Sequence, residues 1–236
     1  MNFSKPLGIL LLFFISSVNA NTLVFAEFEY IKRLNLQESP MIQIIRLALK
    51  EHGYDMEVRY EPGRRALYDA LAGNADGLLM QASWLQEEFP TLVRVEQRIS
   101  QIPLYFYAYT KDKPFDLSVC HDVVGIINGF DKAIERYARQ LGCTRELTRV
   151  VANYPKQLLN LLQGERVDWV LAHVFLEKRF VQLSEQPLHR YESSAFYLDI
   201  YMYLNARHAD LAEPLALSLK RILQEESGLS PYYPVK

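Results

Sequence analysis

A few short stretches of this chain gather groups able to grip a small molecule. Glu27-Phe28-Glu29-Tyr30 alternates two acids with two rings directly after the apolar run Thr22–Ala26. Arg64 and Arg65 follow Pro62-Gly63 at the start of a helical pattern. Cations there oppose the helix dipole and need a compensating anion, which a ligand or Glu61 could supply. Gln81, Ser83 and Trp84 bring an amide, a hydroxyl and a stacking ring after another apolar run. Asn128-Gly129-Phe130-Asp131 joins a strand-like run to a helical one. Backbone N–H groups at such a start bind carboxylate or phosphate, unless Asp131 serves as an ordinary N-cap. His173 ends a further apolar run, as a ligand contact or as a satisfied structural histidine. Tyr107 and Tyr201 belong to alternating tyrosine runs, where one face is core and the other is open to a site floor.

These groups bind; they do not form a recognisable catalytic or metal set. The five histidines stand at 52, 121, 173, 189 and 208, without the spacing of an HExxH or Cys/His site. No GxSxG, phosphate-loop or GxGxxG pattern occurs. No cofactor is expected. Twenty-six basic against 28 acidic residues give a net charge of -2. That balance argues against nucleic acid, which needs a clustered basic face.

The elements that must position these residues alternate. Thr22–Ala26 reads as a strand, Met41–Leu49 as an amphipathic helix opened by Pro40 and ended by Gly53, and Met56–Tyr60 as a strand. Arg65–Leu71 reads as a helix closed by Gly73, and Gly77–Met80 as a strand. The order then recurs: strand Val123–Ile127, helix Asp131–Leu141, strand Leu147–Val151, helix Pro155–Leu162, strand Trp169–Ala172. Leu67, Leu71, Gly73 and Asp76 in the first set match Leu158, Leu162, Gly164 and Asp168 in the second, which has one residue more before the Asp. Short links between alternating strands and helices indicate parallel α/β sheets. The recurrence predicts two similarly built lobes rather than one long sheet. Pro103–Thr110 and Ala195–Asn205, both rich in aromatics, are the crossovers between them, and Ala209–Glu226 is a final helix with leucines at 211, 215, 219 and 223.

At the N-terminus, Lys5 precedes the apolar run Leu7–Ile15 and the small or polar residues up to Ala20. This is the pattern of a cleaved secretory leader, with cleavage expected after Ala20, rather than a membrane anchor, which needs about 20 apolar residues. Loss of Lys5 with it moves the net charge from -2 to -3. Cys120 and Cys143 then mature in an oxidising compartment. The strand and helix between them return the chain near its start, so a structural disulfide is expected, the alternative being two unrelated buried thiols.

With these features in place the chain resembles the bacterial extracellular solute-binding proteins of family 3, which have the type II periplasmic binding fold. The likeness rests on the leader, LVFAEFEY, PGRRALYDALAGNADG, PLYFYAYT, VVGIINGF, GERVDWVLAH and the closing leucine helix. It implies an α/β fold of two lobes, each a mostly parallel sheet flanked by helices and joined by two crossover strands. The divisions expected are a signal peptide over 1–20, lobe one over 21–107, lobe two over 108–198, and a return to lobe one over 199–236. It implies a monomeric periplasmic protein that takes a small polar ligand in the interlobe cleft for a membrane permease or a sensor receptor. Glu27, Phe28, Glu29, Arg64, Arg65, Gln81, Ser83, Trp84, Tyr107, Asn128, Phe130, His173 and Tyr201 are the expected ligand contacts. The chain departs from the family's amino-acid clamp. Gln81–Gln86 lacks the arginine that takes a ligand carboxylate, none following until Arg94, and His173 stands where an acid takes the ligand ammonium. Two rivals share the scaffold: a lyase or dehydratase, and a ligand-sensing module docking on a membrane receptor.

Overall fold

The computed structural model describes residues 21–33, 36–110 and 115–225; the expected leader lies outside them. Strand β1 (Asn21–Phe28) leads through a short helix α1 (Glu29–Arg33) to α2 (Pro40–Glu51), β2 (Tyr54–Glu61), α3 (Gly63–Ala72) and β3 (Gly77–Ala82). A second set runs β6 (Val123–Ile127), α5 (Asp131–Leu141), β7 (Thr148–Ala152), α6 (Pro155–Gln163) and β8 (Trp169–His173). Between the sets lie α4 (Leu85–Glu88), β4 (Leu92–Arg94) and β5 (Ser100–Ala108). After them come α7 (Glu177–Leu183), the 17-residue strand β9 (His189–Asn205) and α8 (Ala212–Glu225). Among the described residues no helix is long and apolar enough to cross a membrane.

In each set the first strand pairs in parallel with the second and third: β1 with β2 and β3, β6 with β7 and β8. The long strand β9 runs antiparallel to β3 and β4 in the first half and to β5 in the second. The hydrogen-bonded order is therefore β2-β1-β3-β9-β5-β8-β6-β7 without a break. The two half-sheets and the two crossover strands stand as expected; the crossovers pair with each other from Ser100↔Ile200 to Ala108↔His189 and so join the halves into one hydrogen-bonded sheet. Leu104–Tyr107 of β5 already pair with β8, so the strand belongs largely to the second half.

Each half is a three-layer sandwich with apolar packing on both faces of its sheet. In the first, Phe25, Ile42, Ile45 and Leu49 meet Leu215 and Leu219 of α8 on one face. Ala26, Ala66, Ala70 and Leu78 pack on the other. In the second, Phe106, Ile134, Tyr137 and Trp169 fill the α5 face, and Leu158, Leu162, Val170 and Phe180 the α6–α7 face.

The repeated Asp does the same task twice. Asp76 N–H donates to Val24 O at 2.6 Å and its Oδ2 accepts from Val24 N–H at 2.6 Å. Asp168 N–H donates to Val123 O at 2.8 Å and its Oδ2 accepts from Val123 N–H at 2.8 Å. Each Asp thus pins the entry of the third strand to the first. The glycines of the repeat differ. Gly73 turns the chain with φ +79°, while Gly164 has φ -84° and the left-handed residue is Glu165, the extra one in the second set. Gly77 is required by closeness: a Cβ there would lie 2.1 Å from Tyr203 O. Cys120 and Cys143 are bonded, with Cα atoms 5.5 Å apart.

Candidate functional site

Parallel strands bring their carboxyl ends to one edge of each half-sheet, where the loops to the helices converge. In the first half these ends carry Glu27, Phe28, Gln81 and the start of α3; in the second they carry Asn128, Phe130 and His173.

Glu27 is fully buried. Beyond Ala26↔Leu78 the β1–β3 ladder stops, and the Glu27 carboxyl takes over the backbone groups left there. Its Oε1 accepts from Phe28 N–H at 2.8 Å and from Gln81 Nε2 at 3.2 Å, and its Oε2 from Met80 N–H at 3.0 Å. Burial pushes its pKa up to about 7, against the pull of the backbone donors of Phe28, Met80 and Leu79. Glu27 is thus a strut under the edge that aims the buried Gln81 amide, and Phe28 above it is half-buried. Glu29 opens α1 and is partly exposed.

Arg64 and Arg65 are exposed on the first turn of α3. Arg65, 72% exposed, is answered by Glu61 at 3.6 Å and Asp69 at 4.0 Å, so protein acids supply its counter-charge.

In the second half Phe130 is the N-cap of α5 and Asp131 its first residue. Asp131 is therefore not the cap; its carboxylate accepts from Arg149 Nε at 3.0 Å. Asn128 is exposed, its N–H tied to Ala152 O. The Phe130 ring stacks on His173 (centroids 5.8 Å, planes 29° apart), and the Phe175 ring lies 5.6 Å from the imidazole, tilted by 60°. His173 is 2% exposed, and burial drives its pKa down to about 3, so the ring is neutral at ordinary pH.

Phe175 was not singled out by its sequence. It lies in the 3-10 turn Val174–Leu176 and packs against the apolar core of the first half, at whose rim Phe28, Tyr60 and Met80 also sit. It joins the strand ends of the two halves. Val-Phe-Leu directly after a buried strand was the only signal, and it reads equally well as more core.

The other expected contacts fall elsewhere. Ser83 donates its N–H to Asp199 O at 3.0 Å, and Trp84 lies beneath the Arg136 guanidinium at 5.2 Å. Both line a separate cavity of about 280 Å³ between α5 and β9. Tyr201 is covered by the Arg94 guanidinium at 4.7 Å, and Arg94 is held by Glu96 and by Ser83 O. Tyr107 is a correction: it is 1% exposed, edge-on to Phe180 in the core, because its strand face points at α7 rather than at the strand ends. Among the described residues no group of three His, Cys, Asp or Glu side chains gathers to hold a metal.

A nine-stranded sheet of two parallel modules joined by two antiparallel crossovers defines the two-lobed fold of type II periplasmic binding proteins. No family model and no curated protein matches the chain. Solved structures do. An amino acid ABC transporter substrate-binding protein from Streptococcus pneumoniae, bound to L-arginine, is 16% identical with a TM-score of 0.64, covering 90% of this chain and 92% of its own. A putative L-cystine ABC transporter protein from Listeria monocytogenes is 12% identical (TM-score 0.62; 88% and 92% covered). A histidine kinase sensor domain similar to periplasmic binding proteins is 13% identical (TM-score 0.62; 88% and 92% covered).

Proposed function

We propose that this chain is a periplasmic solute-binding protein, exported by cleavage after Ala20, which holds a small polar solute between its lobes and catalyses nothing. The observation that carries the reading is the meeting of the two halves at Phe175, which lies against His173 of one strand-end edge and packs on the core of the other half, at whose rim Phe28, Tyr60 and Met80 sit. A solute touching both edges favours the arrangement in which they face each other, so capture and closure are one equilibrium. The division into 21–107, 108–198 and 199–236 belongs to this reading, with β5 and β9 as the hinge. The protein works as a monomer and passes its solute to a membrane permease. Neutral His173 offers no charge to a ligand ammonium, which supports a solute held otherwise than as an α-amino acid zwitterion, an organic anion among the candidates.

The likeness to a kinase sensor domain favours one second reading, in which the closed form signals to a membrane receptor. A thermal-shift screen of amino acids, polyamines, organic acids, sugars and nucleotides tests capture itself. A solute at 100 times its Kd adds about 2.7 kcal/mol of stability. Recovery of the solute unchanged supports binding; its conversion favours a lyase or dehydratase; silence across the panel rejects the capture reading.

A further inference from the structure

We propose that the cavity beside Trp84 is a second binding site, for a small flat carboxylate, built across the hinge and apart from the strand-end cleft. Its volume, about 280 Å³, is just below the roughly 300 Å³ at which small-molecule pockets begin, which restricts an occupant to a small one. Ser83 and Trp84 come to it from the first half, Arg136 and Arg139 from α5 of the second, and Tyr197 from β9, the strand that links them.

The charges there leave one cation over. Arg136 pairs with Glu87 and lies over the Trp84 ring. Asp199, the one acid of the lining, faces Arg98 at 3.0 Å and accepts from Gln101 Nε2 at 2.9 Å. Arg139, one turn beyond Arg136, is exposed, and among the described residues it has no acid partner. A free guanidinium at a cavity wall is a planar fork that matches a carboxylate with two parallel hydrogen bonds. Beside it stand flat faces: Trp84, held in place by Arg136, and Tyr197, which is 52% exposed although its neighbours Phe196 and Leu198 are buried. A ring with one carboxylate uses both features, the ring against the exposed face of Tyr197 and the anion on Arg139. None of Glu27, Phe130 or His173 lines this cavity, so the proposal stands whether or not the cleft takes a solute. Since the walls come from both halves, an occupant also favours the arrangement that keeps them together.

Calorimetric titration of the purified protein with sodium benzoate tests this, with benzyl alcohol as the uncharged probe and inorganic phosphate as the anion without a ring. Saturable benzoate binding is expected, at least tenfold tighter than either comparison compound. Arg139→Ala and Arg139→Gln should each weaken benzoate at least tenfold; Arg139 is exposed, so the urea midpoint should not move. Phe130→Ala, at the other site, should change benzoate affinity less than twofold. Absence of saturable binding, indifference to both Arg139 variants, or loss with Phe130→Ala would each overturn the proposal; the last places benzoate in the cleft. Phosphate binding as tightly as benzoate rejects the flat-ligand class.

Discussion

Glu27 and His173 are buried at the carboxyl ends of β1 and β8, and burial moves their protonation in opposite directions. For Glu27 the folded pKa of about 7 lies above the ordinary carboxyl value of 4.5, so between these values the native state binds the extra proton. Its contribution is full below pH 4.5 and is lost as pH rises through 7; at about 1.4 kcal/mol per pH unit the loss is about 3 kcal/mol. For His173 the folded pKa of about 3 lies below the ordinary imidazole value of 6.5, and the native state excludes the proton. Its contribution is full above pH 6.5 and falls with pH, by about 3 kcal/mol on reaching pH 4.5. Across pH 4.5–6.5 the two slopes cancel in the native protein.

Single substitutions separate them. Glu27→Gln removes the titration and leaves His173 unopposed, so stability should climb with pH by about 3 kcal/mol between 4.5 and 6.5. His173→Phe leaves Glu27 unopposed, and stability should fall by a similar amount over the same interval. Glu27→Gln carries a further cost above pH 7, where the native carboxyl is ionised. Phe28 N–H, Met80 N–H and the Gln81 amide all donate into this carboxylate, and an amide nitrogen in place of one oxygen meets a donor. One unpaired buried donor costs about 1–3 kcal/mol. Urea unfolding at fixed ionic strength, followed by tryptophan fluorescence from pH 4.5 to 8, measures all of this. Parallel profiles for the protein and both variants would refute the claim that burial sets these protonation states.

Four other perturbations follow from the same structure. Reducing Cys120–Cys143 frees a loop with a sequence separation of 23 and should cost about 3 kcal/mol, read as a lower urea midpoint with dithiothreitol. Asp76→Ala should destabilise by about 1–3 kcal/mol, because Val24, Arg207 and His208 all lean on Asp76. Burial acts to raise the Asp76 carboxyl, and the Val24 N–H with Arg207 and His208 outweighs it, so this term is lost as pH falls below the usual carboxylate range. Raising salt from about 0.05 to 0.5 M should loosen the Arg136–Glu87 and Lys132–Glu88 pairs between α5 and α4, seen as a larger radius of gyration in X-ray scattering. Phe175→Ala removes the ring that joins the strand ends and should expand the molecule even at low salt.

The sequence made the modules legible because their signals are local. Val123–Ile127 and Asp131–Leu141 match their sequence bounds to the residue, the one an apolar run and the other a helical pattern. The repeated Asp was legible as well, although its role, a pair of backbone bonds to the first strand, depends on a partner 45 to 52 positions away. The site was less legible for a related reason. Alternation in Pro103–Thr110 says that one face is buried and not which neighbour buries it, so Tyr107 read as a cleft residue until α7 supplied Phe180. Phe175 and the short helix α7 left no periodic trace at all.

The same distinction accounts for what the buried polar groups do. Glu27 is placed where the β1–β3 ladder ends, and Ser194 is placed where the β5–β9 register shifts, its Oγ accepting from Phe106 N–H at 2.8 Å. In both places a side chain replaces a backbone partner at a point where strands part company. Parting is what the proposed capture needs. On the proposed reading, the strands of the first half splay at their carboxyl ends to leave room for a solute, and the crossover strands loosen their register to bend. A buried polar group at each point satisfies the donors that splaying leaves behind, at a cost that an unbroken ladder would not carry. Stability is thus lower at the cleft edge and the hinge than in the surrounding sheet, and amide exchange should be faster at Met80 and Phe106 than at Leu78 and Leu171. Equal protection at all four would mean that these side chains mend the ladder fully, and that closure takes its freedom from somewhere else.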